Sequence, residues 1–172
     1  MAFDKSEKRT HDYVRHGTTN LFAALDTLTG QVIGKCFPRR RTGEFLKFMN
    51  RVVEAYPTAP EIHVVLDNLS THSGADVEAW LARHPNLTFH FTPKGSSWVN
   101  QVETWFGIIT RQSIRRGNFA SLPQLVRQIE DYITHWNETA DPFEWTATAD
   151  EVLEKVALLE RDYRKLLANN TK

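Results

Sequence analysis

The sequence predicts a mixed α/β domain, and three observations predict it. Short apolar runs with β-branched residues come early, a segment with apolar residues at helical spacing follows, and two later apolar runs are linked by a second helical segment. A chain of 172 residues with 41% hydrophobic content is about one domain with enough apolar surface for a real core.

The elements follow in order. Asn20–Leu25 and Gln31–Phe37 flank Asp26-Thr27-Leu28-Thr29-Gly30, whose turn chemistry predicts an antiparallel hairpin. Thr42–Tyr56 places Phe45, Leu46, Met49, Val52 and Val53 at helical spacing, with Thr42 as the expected N-cap and Pro57 just past the end. Pro60 precedes Ile62–Leu66, which reads as a buried strand. Ser73–His84 then carries Val77, Trp80 and Leu81 on one helical face, and Leu87–Phe91 is a further strand. Strand, helix, strand predicts a parallel crossover. Beyond Pro93, helices are expected over about Ser97–Arg116 and Leu122–Trp136. A charged helix follows over about Ala149–Leu167, with Leu153, Val156, Leu159, Leu166 and Leu167 as an apolar side that docks in cis or on a partner. The chain has no internal repeat and no low-complexity segment.

Composition excludes several classes. The formal charge is zero and the pI about 7.1, so contact with a nucleic acid has to rest on local basic clusters. A single cysteine, Cys36, rules out an internal disulfide framework and a cysteine-rich zinc site, which fits a reducing compartment; a cytoplasmic, internal protein is expected. Neither a membrane span nor an export signal is legible.

Two acids carry the chemistry. Asp67 ends the run Ile62-His63-Val64-Val65-Leu66, and ligands gather beyond the carboxyl ends of parallel strands. Glu103 lies within Trp98-Val99-Asn100-Gln101-Val102-Glu103-Thr104-Trp105-Phe106, on a later helix. Carboxylates on separate elements suit divalent metal ions and phosphoryl transfer on nucleic acid. Opening a phosphodiester needs an activated water or 3′-hydroxyl in line with the leaving oxygen, and two ions about 3.5–4 Å apart stabilise both oxygens. Magnesium and manganese prefer such oxygen donors. The bland alternative makes Asp67-Asn68 a strand-to-loop turn whose Asp caps a backbone N–H.

Other residues carry paired readings. His72 orients a phosphate or metal-bound water near Asp67, or is a loop or helix-cap residue. Asn100 precedes Glu103 by three positions and so shares its helical face, where its amide would hold the carboxylate or a phosphate. Trp98, Val102, Trp105, Phe106 and Ile109 form a stripe read as core rather than base-stacking surface. Arg39, Arg40 and Arg41 form one basic cluster, and Arg111, Arg115 and Arg116 another. Each follows a DNA backbone, or is solvated and, near a helix C-terminus, complements the dipole.

The stretches Val65-Leu66-Asp67-Asn68-Leu69-Ser70-Thr71-His72 and Phe89 to Glu103, together with His11 to Leu25 and Arg115-Arg116-Gly117-Asn118-Phe119, resemble the DDE superfamily of transposases, in its mariner-like bacterial insertion-sequence branch. The resemblance covers about Thr10 to Asp150 and implies a ribonuclease-H-like mixed sheet flanked by helices. It implies that Asp67 is the second catalytic acid, in the Asn-x-x-x-His context set by Asn68 and His72. Glu103 would be the third, in an Asn-Gln-x-Glu context 36 positions later. The implied cofactor is Mg2+ or Mn2+, and the implied partner is DNA.

The family's first acid lies on an opening strand ahead of Asn20–Leu25. Met1-Ala2-Phe3 before Asp4 is too short for such a strand, Asp12 belongs to a loop-like segment, and Asp26 is explained by its turn. The first strand is therefore expected to be missing, with residues 1–150 a partial catalytic domain and 151–172 a charged amphipathic helix. The function expected is metal-dependent cleavage and transfer of DNA strands in transposition, as a homo-oligomer or with a complementing transposase fragment. The alternative is a non-catalytic remnant that binds DNA or pairs with an intact transposase.

Overall fold

The computed structural model describes residues 17–93, 99–142 and 148–169, without the side chains of 159, 160, 162–164 and 166–169. Strands β1 (Asn20–Leu25) and β2 (Val32–Phe37) form the expected antiparallel hairpin, with Leu25 opposite Val32 and Asn20 opposite Phe37. Its turn is local chemistry. Asp26 Oδ1 accepts the Leu28 N–H at 2.9 Å, the Gly30 N–H reaches the Asp26 carbonyl at 2.7 Å, and Gly30 takes φ +73°. A Cβ at Gly30 would stand 1.9 Å from the Asp141 carbonyl oxygen, so glycine is required on space as well as on φ.

Helix α1 (Thr42–Ala55) buries Phe45, Phe48, Met49 and Val52. Its N-cap is Arg41 rather than Thr42, which is the first helical residue; Arg41 makes no side-chain cap bond, so Glu44 in the first turn is what answers the dipole. Strand β3 (Ile62–Leu66) and strand β4 (Leu87–Phe91) pair in parallel, with Val65 opposite His90, and helix α2 (Ala75–Leu81) makes the crossover. The helix is shorter than the expected Ser73–His84, because Gly74 at φ +104° is its N-cap. Strand β3 is covered on one face only: Ile62, Val64 and Leu66 turn inward, while Val65 is 50% exposed. The apolar run is therefore a one-faced strand among the described residues, a correction to the buried strand expected.

Helices α3 (Gln101–Gln112), α4 (Leu122–Glu138) and α5 (Ala149–Asn169) complete the order. Helix α4 begins on Ser121, whose hydroxyl accepts the Gln124 N–H at 3.4 Å while Gln124 Oε1 takes the Ala120 N–H at 2.9 Å.

Two cores result. Phe45, Phe48, Met49 and Val52 meet Leu66, Leu87, Val77 and Trp80, and the inner residues of all four strands join them, so α1 packs on both strand pairs. The other face of β1–β2 is covered by Trp105, Ile109, Ile129 and Ile133 from α3 and α4. Gly34 is the point of closest approach there, since a Cβ would lie 2.4 Å from Ile133 Cδ1. Among the described residues no ladder joins β1–β2 to β3–β4. No helix is long and apolar enough to cross a membrane.

Candidate functional site

Asp67 leaves the end of β3 and is held by His72. Its Oδ1 lies 3.0 Å from His72 Nδ1, and its own main-chain carbonyl lies 3.1 Å from the same nitrogen. Both oxygens only accept, so Nδ1 carries a proton and donates to them, which fixes the ring's orientation. The Phe45 ring, from the first turn of α1, sits 4.4 Å from the His72 ring at 36°. Helix α1 thus presses His72 onto Asp67. The Asp67 side chain remains 33% exposed, against 13% for His72. One carboxylate oxygen is committed to the imidazole and the other is left for a ligand.

Asn68 anchors the same loop. Its amide donates to the carbonyl of Thr92, and the Thr92 N–H donates to the Leu66 carbonyl at 2.9 Å. These bonds tie the residues around Asp67 to the exit of β4, where Thr92 is only 6% exposed. Asn68 thus contacts the loop that carries Asp67, and His72 contacts the carboxylate itself.

Glu103 lies in the first turn of α3, where a carboxylate complements the helix dipole. Its side chain is exposed and makes no ion pair among the described residues. Helix α3 starts at Gln101, so Asn100 is the extended N-cap rather than a helical residue on the Glu103 face; its carbonyl accepts the Glu103 N–H at 3.0 Å. This corrects the expected helix start. Trp105 and Ile109 are fully buried and Phe106 packs beside them, as the core reading of the stripe requires. Trp98 lies outside the described residues, as do Lys94 to Ser97. The buried Trp105 Nε1–H has no acceptor among the described residues.

Arg39, Arg40 and Arg41 are exposed between β2 and α1, at the end of α1 that packs against Ser70–His72 and hence near Asp67. Arg111 ends α3, while Arg115 and Arg116 lie in the 3-10 turn Ile114–Arg116. All six are exposed, and none is ion-paired among the described residues. Asp26 is a structural acid: Oδ1 closes the hairpin turn and Oδ2 accepts the Tyr56 hydroxyl at 3.0 Å. The Cys36 thiol is half-buried and pushed up by that burial, the opposite of an activated nucleophile.

Asp67 and Glu103 offer hard carboxylate oxygens, the donor class that Mg2+ and Mn2+ take. Among the described residues no three His, Cys, Asp or Glu side chains come together as a metal-holding group. The donor chemistry fits such an ion, and the set calls for a further ligand.

The layered arrangement places the chain in the ribonuclease-H-like class of mixed α/β folds. A chain from the cryoEM structure of the simian T-cell lymphotropic virus intasome with PP2A regulatory subunit B56 gamma superposes with a TM-score of 0.54 at 15% identity, over 70% of this chain and 44% of that one. The family is defined by sequence: residues 1–126 match the DDE superfamily endonuclease, and the chain belongs to that family. A curated relative, the insertion element IS630 uncharacterized 39 kDa protein of Shigella sonnei, is 27% identical over 123 residues. The match takes in 72% of this chain and 35% of the relative, so the chain spans about a third of that protein's length.

Proposed function

We propose that this chain is the catalytic portion of an insertion-sequence transposase, cutting and rejoining DNA by metal-dependent hydrolysis and transesterification. The observation that carries this is the constrained Asp67. It is fixed at the exit of a parallel strand by His72 and Asn68, and it precedes, within one family match, a solvent-facing Glu103 on a core-anchored helix.

Asp67 and Glu103 would hold Mg2+ or Mn2+, which when bound activates a water or 3′-hydroxyl and neutralises the charge at the phosphate. His72 restricts the Asp67 carboxylate to one orientation, so little entropy is lost when it engages a cation. Asn100 sets the start of the Glu103 helix. Arg39, Arg40 and Arg41 lie toward the Asp67 end of α1 and would follow the DNA backbone, with Arg111, Arg115 and Arg116 offering a second track.

A third acid completes the site in this reading, on a strand that joins β1–β2 to β3–β4. Residues 1–150 then form one catalytic unit with that strand, and 151–172 an appended helix. That strand is not among the described residues, and the active species in this reading is an oligomer, of this protein or with a complementing transposase fragment, acting on the nucleoid DNA of a bacterial cytoplasm.

The test is strand transfer by a protein in which this chain is joined into its longer relative in place of the matching segment. Glu103→Gln and Asp67→Asn are each expected to abolish transfer while leaving DNA binding. Unchanged transfer in either variant would sink the assignment. The two separate strand pairs favour a second reading, in which the isolated polypeptide binds DNA or an intact transposase without cleaving. That reading expects self-association of the chain alone through uncovered strand edges; a sharp, monomeric melt with metal-dependent nicking contradicts it.

A further inference from the structure

The outer face of β3–β4 carries a cluster that the proposed chemistry does not use. His63 and His90 lie diagonally across the parallel pair, since Thr88 is opposite His63 and Val65 is opposite His90. Their side chains emerge on the face away from α1 and α2. His63 Nδ1 stands 3.0 Å from His90 Nε2, with ring centroids 5.1 Å apart. Two residues before His63 on the same face, Glu61 Oε2 lies 3.3 Å from His63 Nε2.

These contacts define a tautomer. A carboxylate only accepts, so His63 Nε2 carries the proton that faces Glu61, and in the neutral ring Nδ1 bears the lone pair. A carboxylate behind an imidazole whose other nitrogen is free is the arrangement that orients metal-ligating histidines and raises their basicity. In the metal-free contact His90 Nε2 then carries the proton that faces His63 Nδ1, and its other tautomer presents a lone pair there.

We infer that His63 and His90 form a two-imidazole site for a late first-row divalent ion of tetragonal preference, Cu2+ or Ni2+, with Glu61 as the orienting carboxylate. The donors decide the ion class. In the metal-free chain the 3.0 Å contact is an N–H···N hydrogen bond between the rings, which a cation taking both lone pairs would replace. Square-planar or tetragonal nitrogen and oxygen donation is what Cu2+ and Ni2+ favour, and imidazole suits both. Binding requires each ring to turn about Cβ–Cγ until both lone pairs meet at one point on the solvent side. Both side chains are exposed, so water completes the coordination.

The site bridges neighbouring strands, so occupancy ties β3 to β4 close to Asp67. It is distinct from the carboxylate chemistry in donor type, and it stands whether or not strand transfer does.

The test uses the full chain with one equivalent of Cu2+, read by electron paramagnetic resonance and titration calorimetry. A tetragonal spectrum with superhyperfine coupling to two nitrogens is expected. His63→Ala and His90→Ala should each weaken binding at least tenfold and remove the two-nitrogen signature, while Glu61→Gln weakens binding severalfold and keeps it. Because both histidines are exposed, the metal-free variants should melt as the parent does, and the milder His90→Gln serves if the alanine variant does not fold. Parental affinity with a two-nitrogen spectrum in either alanine variant, or a parental spectrum with fewer than two nitrogens, overturns the inference.

Discussion

Arg39, Arg40 and Arg41 surround the N-terminus of α1, where the helix already presents partial positive charge. A cation there is unfavourable by about 0.3–1 kcal/mol, and no described acid pairs with any of the three. Solvation alone gives no reason for that placement, whereas a phosphate would be met by the arginines and by the free N–H groups of the first turn. Replacing all three by Gln is expected to reduce the slope of log affinity for DNA against log salt by roughly 0.9 for each phosphate that is no longer neutralised, with the melting temperature unchanged or raised. An unchanged slope removes this cluster from the interface. A second prediction concerns Tyr56. Burial first, and then its hydrogen bond to Asp26 and the charge of Asp26, push the phenol from 10.0 up to about 12. The folded chain holds that proton more tightly than the unfolded one. The contribution to stability is therefore complete below about pH 10 and is lost as the pH climbs to about 12. Denaturant midpoints of the parent should fall more steeply across that window than those of Tyr56→Phe; parallel curves would contradict the linkage.

Among the elements, α4 does more than cover a core. The Asn137 side chain accepts the Val32 N–H at 2.8 Å and donates to the Val32 carbonyl at 2.9 Å, so it pairs with β2 as a neighbouring strand would. Trp136 Nε1 donates to the Gly30 carbonyl at 2.9 Å one residue earlier. Val32 is only 2% exposed, and Asn137→Ala would strand its amide and carbonyl. A loss of about 1–3 kcal/mol is expected by chemical denaturation, and a loss within about 0.5 kcal/mol would show that water replaces the amide. On α3, Trp105→Ala should cost about 3–5 kcal/mol, since the ring is fully buried. Trp105→Phe should cost far less than that, because it also removes an indole N–H with no described acceptor. The hairpin, the parallel crossover and the core stripe of α3 were legible in the sequence, because they follow from periodicity and turn residues. The Asn137 clamp and the His63–His90 pair join residues 105 and 27 positions apart, and nothing local in the chain announces either. The helix starts were misplaced for a related reason. Thr42 suits a cap by composition, but backbone dihedrals put Arg41 there, and they make Asn100 the N-cap of α3 rather than a residue inside it.

At the scale of the molecule, α1 lies across two strand pairs that share its core but no hydrogen-bond ladder. Asp67 was legible because a strand end followed by Asn68 and His72 is a local pattern; its pinning by Phe45 and Thr92 is tertiary and was not. The place of Glu103 on a helix was legible from its neighbours in sequence, and the structure puts it exposed in the first turn of α3. The cytoplasmic, DNA-bound and oligomeric state of the intact protein rests on the proposed function. The most direct test of that proposal replaces each acid with cysteine in the joined protein and compares strand transfer in Mg2+ and in Mn2+. Mg2+ takes oxygen donors and rejects a thiolate, while Mn2+ is the more tolerant of the two. Asp67→Cys and Glu103→Cys are expected to lose transfer in Mg2+ and to regain part of it in Mn2+. Full transfer with Mg2+ by either variant, or a loss of the same size with both ions, contradicts the assignment of Asp67 and Glu103 as metal ligands.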